Sequence, residues 1–178
     1  YLDLPLGAAP ESYDVWRYRH CFAPDAAGGA PPDVFFTKGQ NWGFPPLLPA
    51  ATRRSGHQYF IAVLRRHLEL ARLLRIDHFM WVHRLYWIPD RHQAADGVYV
   101  RYPSHELCAI LALESHRHRA AIVGENLGTV PDMVNAAMRR GGILGMYVSQ
   151  YECRPDRRPP LRPPRLDEVA ALNTHDMP

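Results

Sequence analysis

The sequence predicts an α/β fold with a parallel sheet, because apolar runs of strand length alternate with stretches of helical periodicity. Three acidic motifs follow or end such apolar runs. They are Arg75-Ile76-Asp77-His78-Phe79, Gly124-Glu125-Asn126-Leu127-Gly128 and Asn173-Thr174-His175-Asp176. Enzymes of the α/β barrel type place their catalytic groups at the carboxyl ends of buried strands. We therefore expect the three carboxylates to belong to an active site.

The first half of the chain contains two predicted strands and one clear helix. Residues 1–6 are predicted as a strand, ended by Gly7. Residues 10–50 are rich in Pro, Gly and aromatic side chains and show no sustained helical or strand period. The aromatic side chains favour a binding loop over disorder. Apolar residues at three- and four-residue spacing predict a helix from Gly56 to Leu74 that runs into a strand over 75–79.

The second half continues the alternation of strands and helices. Residues 98–102 are predicted as a short hairpin strand, and Ser104 as the N-cap of a helix that reaches about Ser115. A strand over 120–123 carries the Glu125 motif. Thr129 and Pro131-Asp132 precede a predicted helix, whose inward-facing residues would be Met133, Val134, Ala137 and Met138. Strands are predicted over 145–150 and 169–172, and the Pro/Arg-rich residues 154–165 between them are predicted as a loop.

Composition narrows the classes of function. The 178 residues carry a formal net charge of +3 and suit one domain or part of one, since complete α/β barrels have about 250 residues. The Arg residues are spread along the chain, so we expect no nucleic-acid partner. No apolar run approaches the ~20 residues of a membrane span. Three cysteines without C-x-x-C spacing favour a reducing, cytoplasmic location over a disulfide framework or zinc site.

The three carboxylates fit the cleavage of glycosidic bonds, which needs one carboxylate as nucleophile or base and one protonated carboxyl as acid. Arg75 and His78 flank Asp77 and would hold it ionised, as a nucleophile requires. Glu125 has apolar neighbours, which would raise its pKa and suit a general acid/base. Asp176 could hold substrate hydroxyls or stabilise developing positive charge. Spacing alone does not decide which acid takes which role.

Other interpretations stay open at this point. A lone Asp at the end of a strand often caps a helix or pairs with a cation, which gives each motif a purely structural alternative. The pairs Asp77-His78 and His175-Asp176 also fit a metal-dependent hydrolase by residue type. However, neighbouring residues on a strand point to opposite faces, so each pair would offer only one metal ligand.

The acidic motifs resemble the signature motifs of the 4-α-glucanotransferases, the amylomaltases or disproportionating enzymes of glycoside hydrolase family 77. Asp14-Val15-Trp16, Pro31-Pro32-Asp33 and the loop Gly39-Gln40-Asn41-Trp42-Gly43 are similar to further stretches of that family, in the same order. The resemblance implies a (β/α)8 barrel of the TIM type. Residues 1–178 would be an incomplete segment of its catalytic domain, roughly strands three to seven, with 10–50 as the substrate-covering loop region.

The resemblance also implies a role for each candidate residue. Asp77 would be the nucleophile, Glu125 the acid/base and Asp176 the transition-state stabiliser. The implied substrate-binding residues are Arg75, His78, His175, Trp42, Gln40, Phe35 and Asp14. One departure concerns Asn126, since many members have Glu-Asp-Leu-Gly where this chain has Glu125-Asn126-Leu127-Gly128.

The implied function is the transfer of α-1,4-glucan segments between maltooligosaccharides by a retaining double displacement, without a metal or organic cofactor. The expected partners are α-1,4-glucans, including starch or glycogen chains, and no nucleic acid or membrane. The alternatives are an α-glucan hydrolase of the α-amylase type and a non-catalytic glucan-binding fragment. Because Tyr1 begins inside a predicted strand, we expect a piece of a longer chain. A barrel that lacks strands cannot close, so the segment alone is expected to be poorly stable and inactive.

Overall fold

The computed structural model describes residues 1–174, so the predicted site residues His175 and Asp176 lie outside the described part. The helices and strands, in chain order, are β1 (Leu2–Leu4), α1 (Tyr13–Arg17), β2 (Ala26–Ala30), β3 (Gln40–Asn41), α2 (Pro49–Arg54), α3 (Gln58–Leu68), β4 (Leu73–Ile76), β5 (Arg84–Pro89), β6 (Val98–Arg101), α4 (Ser104–His118), β7 (Ala121–Gly124), α5 (Asp132–Arg140), β8 (Gly145–Val148), α6 (Ser149–Glu152) and β9 (Glu168–Ala171).

Five parallel strands form the centre of the fold. β1, β4 and β7 make one parallel sheet in that order, and β8 and β9 pair in parallel beside it. A parallel bridge between Val123 and Leu144 connects the two sheets. The strands therefore follow one another in space in the order of the chain, and the predicted α/β fold with a parallel sheet is confirmed.

The two faces of this sheet differ in chemistry. Leu4, Ile76 and Ile122 belong to the main core, together with the apolar residues of α3 and α4. Because side chains alternate along a strand, Asp3, Arg75 and Val123, which share one row of the register, point to the other face. That second face carries the charged groups of the candidate site.

An antiparallel sheet of order β3-β2-β5-β6 is inserted between the parallel strands. β2 and β3 lie between β1 and β4 in the chain, and the hairpin of β5 and β6 lies between β4 and β7. The prediction that residues 10–50 lack regular structure is therefore wrong for α1, β2, β3 and α2. β2 reads Ala-Ala-Gly-Gly-Ala, without the β-branched residues typical of strands. It becomes a strand because it pairs with β5, which was not predicted either.

Several predicted boundaries also shift. The helix predicted to reach Leu74 ends at Leu68, and the strand that follows covers Leu73–Ile76, not 75–79. His78 adopts a left-handed conformation with φ 41°, which turns the chain away from the strand direction directly after Asp77. The next turn, Phe79–Val82, is a 3₁₀ helix.

The remaining elements agree more closely with the predictions. The hairpin strand near Val98 is confirmed as β6. α4 begins at Ser104 itself, with Pro103 at the N-cap. Val134 and Met138 of α5 are buried as predicted, but Met133 is exposed. The strand predicted over 145–150 stops at Val148, and residues 154–165 contain neither helix nor strand. No helix within the described residues 1–174 is long and apolar enough to cross a bilayer.

A buried carboxylate anchors α4 to α3. Glu114 is 1% exposed and accepts hydrogen bonds from Arg65 Nε at 3.0 Å, Arg65 Nη2 at 2.9 Å and Arg117 Nη1 at 3.0 Å. The hydrogen bonds from Arg65 are the main cause that lowers the pKa of the Glu114 carboxyl, against the opposing effect of burial. The ionised form is therefore preferred in the folded state.

We predict that Glu114→Gln lowers the melting temperature by about 2–6 °C at neutral pH, because charge-assisted bonds to Arg65 are lost. The assay is thermal unfolding of the longest natural polypeptide that contains these 178 residues, called the extended chain below. A lowered folded-state pKa stabilises above the unfolded pKa of about 4.3, and this stability is lost as pH falls through the folded value. The difference between wild type and variant should therefore disappear in acid. Glu69→Gln, which removes the exposed pair with Arg66, is the control and should leave the melting temperature unchanged.

Candidate active site

Arg75 joins two carboxylates on the charged face of the parallel sheet. Its side chain is buried, with 6% exposure, and Nη1 lies 2.8 Å from Asp77 Oδ1. The same Nη1 donates to Asp3 Oδ1 at 2.9 Å and Oδ2 at 2.8 Å. Burial works against the charge on Arg75, but the bonds to Asp3 and Asp77 outweigh it and raise the pKa of the guanidinium. A permanent cation therefore lies beside the Asp77 carboxylate.

Glu125 occupies the position next to Asp77 on the neighbouring strand. Ile76 and Gly124 are partners in the register of β4 and β7, so the next residue along each strand is Asp77 and Glu125. The Glu125 N–H donates to Ile76 O at 2.9 Å, and the Phe79 N–H donates to Glu125 O at 2.9 Å. A Cβ at Gly124 would lie 2.7 Å from the Phe79 ring, so glycine is needed there for this close approach. Both carboxylates thus lie at the carboxyl end of the parallel sheet.

The surroundings of Glu125 favour its protonated form. Burial is the main cause that raises the pKa of its carboxyl, and the negative charge of Asp77 adds to the rise. The Leu127 N–H, which donates to Glu125 Oε1 at 3.0 Å, opposes it. Asp77 thus lies beside a cation, whereas Glu125 is in a less solvated position that favours its protonated form, as a proton donor requires.

His78, Trp42 and Gln40 form a group of contacts beside Asp77. The indole of Trp42 meets the His78 ring edge-on, with centroids 5.3 Å apart and planes at 69°. Trp42 Nε1 donates to Gln40 Oε1 at 3.2 Å. Burial lowers the pKa of His78, although Asp77 opposes this, so the imidazole is neutral at neutral pH. The Asp77 carboxylate binds Arg75 while the His78 ring packs against Trp42, and the two side chains therefore serve different partners.

Phe35 and Asp14 lie in other surroundings. Phe35 is 87% exposed on a turn in which Asp33 Oδ1 accepts from the Phe35 and Phe36 N–H groups. Asp14 Oδ2 accepts from the hydroxyl of Tyr59 at 3.3 Å, in a cavity of about 150 Å³ that is lined by apolar residues of β1, its following segment and α3. Neither Asp77 nor Glu125 lines that cavity. The structure therefore brings Arg75, His78, Trp42 and Gln40 to the carboxylates, and it places Asp14 apart from them.

Asp3 was missed in the sequence, and Asn126 was noted there only as a departure from the family motif. Asp3 is a carboxylate in the middle of the apolar strand Leu2-Asp3-Leu4, and that unusual position was the available signal. Asn126 Nδ2 donates to Asn135 Oδ1 at 2.9 Å, and its Oδ1 accepts from the Met146 N–H at 2.9 Å. Asn126 therefore attaches the turn that carries Glu125 to α5 and β8, which no local sequence pattern indicates.

The third acidic motif is only partly within the described residues. The Gln150 N–H donates to Leu172 O at 3.2 Å, so the segment that follows β9 lies beside the start of α6, at the carboxyl end of β8. His175 and Asp176 lie beyond the described residues 1–174, and their predicted roles rest on the sequence resemblance.

Parallel strands with paired carboxylates at their carboxyl ends define an enzyme of the α/β class with a site for acid–base chemistry. Residues 1–178 match the model of glycoside hydrolase family 77, described as 4-alpha-glucanotransferase. The chain belongs to this family.

Individual relatives agree with the family assignment. The 4-alpha-glucanotransferase of Haemophilus influenzae is 40% identical over 178 residues, which are 100% of this chain and 26% of the relative. The crystal structure of amylomaltase from Corynebacterium glutamicum matches with a TM-score of 0.93 and 34% identity, over 99% of this chain and 26% of that one. Amylomaltase from Streptococcus agalactiae in complex with acarbose matches with a TM-score of 0.84 and 25% identity, over 99% and 37%. The chain thus spans about a quarter of the length of the first two proteins.

Proposed function

We propose that this chain forms part of the catalytic domain of a 4-α-glucanotransferase, which transfers α-1,4-glucan segments between maltooligosaccharides. The observation that carries the proposal is the opposite environment of two neighbouring carboxylates. Arg75 lies 2.8 Å from Asp77, whereas burial and the charge of Asp77 raise the pKa of Glu125. Family membership supports the same assignment.

The proposed reaction is a retaining double displacement. Asp77 attacks the anomeric carbon of the donor glucan while Glu125 protonates the departing glycosidic oxygen, which leaves a glucosyl ester on Asp77. Glu125 then takes the proton from the 4-hydroxyl of an acceptor glucan, whose oxygen displaces Asp77. The register of β4 and β7 places Asp77 and Glu125 at the ends of adjacent strands, and closely spaced carboxyl groups are the arrangement of retaining enzymes.

The substrate would lie against the aromatic surface beside Asp77. An indole face suits the apolar face of a sugar ring, and Trp42 is held at this position through His78 and Gln40. Phe35, on its exposed turn, would contact a longer glucan. Acarbose in the Streptococcus agalactiae amylomaltase complex supports a ligand of this class. His175 would orient the sugar and Asp176 would stabilise the transition state, as the resemblance implies.

The proposed domain is a closed barrel of eight strands. Within the described residues, β1 pairs only with β4 and β9 only with β8, so this run of five strands has two open edges. We propose that they are the third to seventh strands of the barrel and that residues 10–50 form its substrate-covering region. The cytoplasm is the proposed location, because Cys21, Cys108 and Cys153 are all unpaired.

The experiment that tests the proposed function incubates the extended chain with maltotriose alone and separates the products by length over time. Glucose together with maltopentaose and longer glucans would establish transfer. Glucose and maltose without longer products would show a hydrolase with the same carboxylates. No conversion would support the non-catalytic glucan-binding alternative.

Asp77→Asn is predicted to lower the turnover of maltotriose at least about 1000-fold, because an amide cannot form the glucosyl ester. Acarbose binding, measured by calorimetry, should change by less than about threefold. Asp132→Asn, at the exposed start of α5, is the control and should change neither value. Turnover that survives in the Asp77→Asn variant would remove Asp77 from the role of nucleophile.

Asn126→Asp is predicted to raise the pKa of Glu125 further, because it adds a negative charge beside a carboxyl that must stay protonated. The substitution preserves the size of the side chain and an oxygen that can accept from the Met146 N–H. The alkaline limb of the pH profile of kcat/KM reports this pKa and should move upward by about half a unit to one unit. Asn135→Asp, one side chain further away, should produce a smaller shift. An unchanged alkaline limb would contradict the assignment of that limb to Glu125.

The purified 178-residue chain alone is predicted to be inactive on maltotriose and poorly stable, because its open sheet edges leave backbone groups and core surface unpaired. The measurement compares its conversion of maltotriose and its thermal unfolding with those of the extended chain. Conversion by the short chain at the rate of the extended chain would contradict this prediction.

A further inference from the structure

We infer that Phe44 is a positioning residue for the proposed sugar site: its ring, seated on two glycines, holds Trp42 against His78 before any glucan binds. The inference rests on the proposed function, because Trp42 is assigned there as the surface that a sugar ring contacts. It adds a specific support for that surface, built by residues that lie far apart in the sequence.

Gly7 and Gly28 form the seat of the Phe44 ring. A Cβ atom at either glycine would overlap the ring. Neither glycine is among those with positive φ, so the backbone conformation does not require glycine at these positions. The space taken by the ring does, and any side chain at Gly7 or Gly28 would push the ring away.

The seat connects the segment after β1 with the inserted antiparallel sheet. Gly7 belongs to the segment after β1, whose Leu4 O accepts a hydrogen bond from the Asp77 N–H at 3.1 Å. Gly28 belongs to β2 of the inserted antiparallel sheet. Phe44 therefore packs the inserted sheet against the segment that follows β1, next to the strand end to which Asp77 is hydrogen-bonded.

Backbone hydrogen bonds fix the loop on both sides of the indole. The Trp42 N–H donates to Gly28 O and the Gly28 N–H donates to Phe44 O, each at 2.9 Å. Between them, Asn41 Oδ1 accepts from the Gly43 N–H at 2.9 Å. The rings of Trp42 and Phe44 then lie nearly parallel, 16° apart, with centroids separated by 6.2 Å.

Trp42 connects Phe44 with the proposed sugar site. One side of the indole stacks on Phe44 and its other contacts are His78 and Gln40, so the indole is held in one orientation. Without the ring behind it, Trp42 would gain rotational freedom that a bound glucan must remove. Ordering a side chain on binding costs free energy, and a site ordered in advance avoids this cost. Loss of Phe44 should therefore weaken glucan binding more than it slows the chemical step.

The test uses Phe44→Leu in the extended chain. We expect KM for maltotriose to rise about fivefold to tenfold while kcat falls less than about twofold, since the support acts on binding. Trp42 should also become more accessible to quenching by acrylamide. Its emission is isolated as the difference between each protein and the same protein with Trp42→Phe, because the described chain has three further tryptophans at 16, 81 and 87.

Phe60→Leu is the matched control. Phe60 is buried in the main core, and its ring meets Trp81 edge-on, with centroids 5.2 Å apart. This variant should lower the melting temperature but leave KM and the quenching of Trp42 unchanged. If Phe44→Leu is folded and behaves like Phe60→Leu in both measurements, the inference is wrong.

Gly28→Ala tests the same packing by displacing the Phe44 ring instead of replacing it. It also decides whether Phe44 supports Trp42 if the Phe44→Leu variant does not fold. The added methyl group should displace the ring and raise KM and quenching as Phe44→Leu does. In the double variant the methyl group fills part of the space that the smaller Leu leaves, so its KM should lie below the value expected from adding the two effects. A Gly28→Ala variant with wild-type KM and quenching would contradict the inference. If the unmodified extended chain does not convert maltotriose, the proposed function fails, and the quenching of Trp42 still tests the role of Phe44.

Discussion

The candidate site depends on one buried cation that two carboxylates share. Arg75 has a side-chain exposure of 6%, and a guanidinium in that position must be paired, since an unpaired buried charge is strongly destabilising. Asp3 on β1 and Asp77 after β4 supply the pairing charges. The arrangement fixes β1 against β4, sets the orientation of Asp77 and keeps a positive charge beside it. One interaction thus links the two strands and places a positive charge beside the proposed nucleophile.

The rest of the site follows from what lies next to this pair. Glu125 is one strand away, in register, and is less solvated. The carboxyl end of the sheet therefore holds one carboxylate beside a cation and one whose pKa is raised by burial. The inserted antiparallel sheet brings Trp42 to the same end through His78. The aromatic surface comes from residues 10–50 and the carboxylates from the parallel strands. In the proposed function, the parallel sheet would supply the reacting carboxylates and the insertion the surface against which a sugar lies.

Local patterns in the sequence were sufficient for the parallel strands and for the position of Asp77 and Glu125 after two of them. An apolar run followed by a carboxylate is a local signal, and it identified β4 and β7 with errors of a few residues at their ends. β2 could not be predicted in this way, because Ala-Ala-Gly-Gly-Ala becomes a strand only by pairing with β5. Of its two glycines, Gly28 is required by the ring of Phe44 and Gly29 by the approach of Gln40 O. Asp3 was overlooked for a similar reason, since its partner Arg75 lies 72 residues further along the chain. Interactions between segments that are distant in the sequence were therefore the part that local patterns could not predict.

We propose that Asp3, through Arg75, controls the reactivity of Asp77. The direct test is kcat of the Asp3→Asn variant of the extended chain. The variant keeps the size of the side chain but removes one of the two charges that hold Arg75. The account predicts that kcat for maltotriose falls about tenfold or more, while the melting temperature changes by no more than about 2–4 °C. A wild-type kcat in a folded Asp3→Asn variant would show that Arg75 does not need Asp3 and would contradict the account.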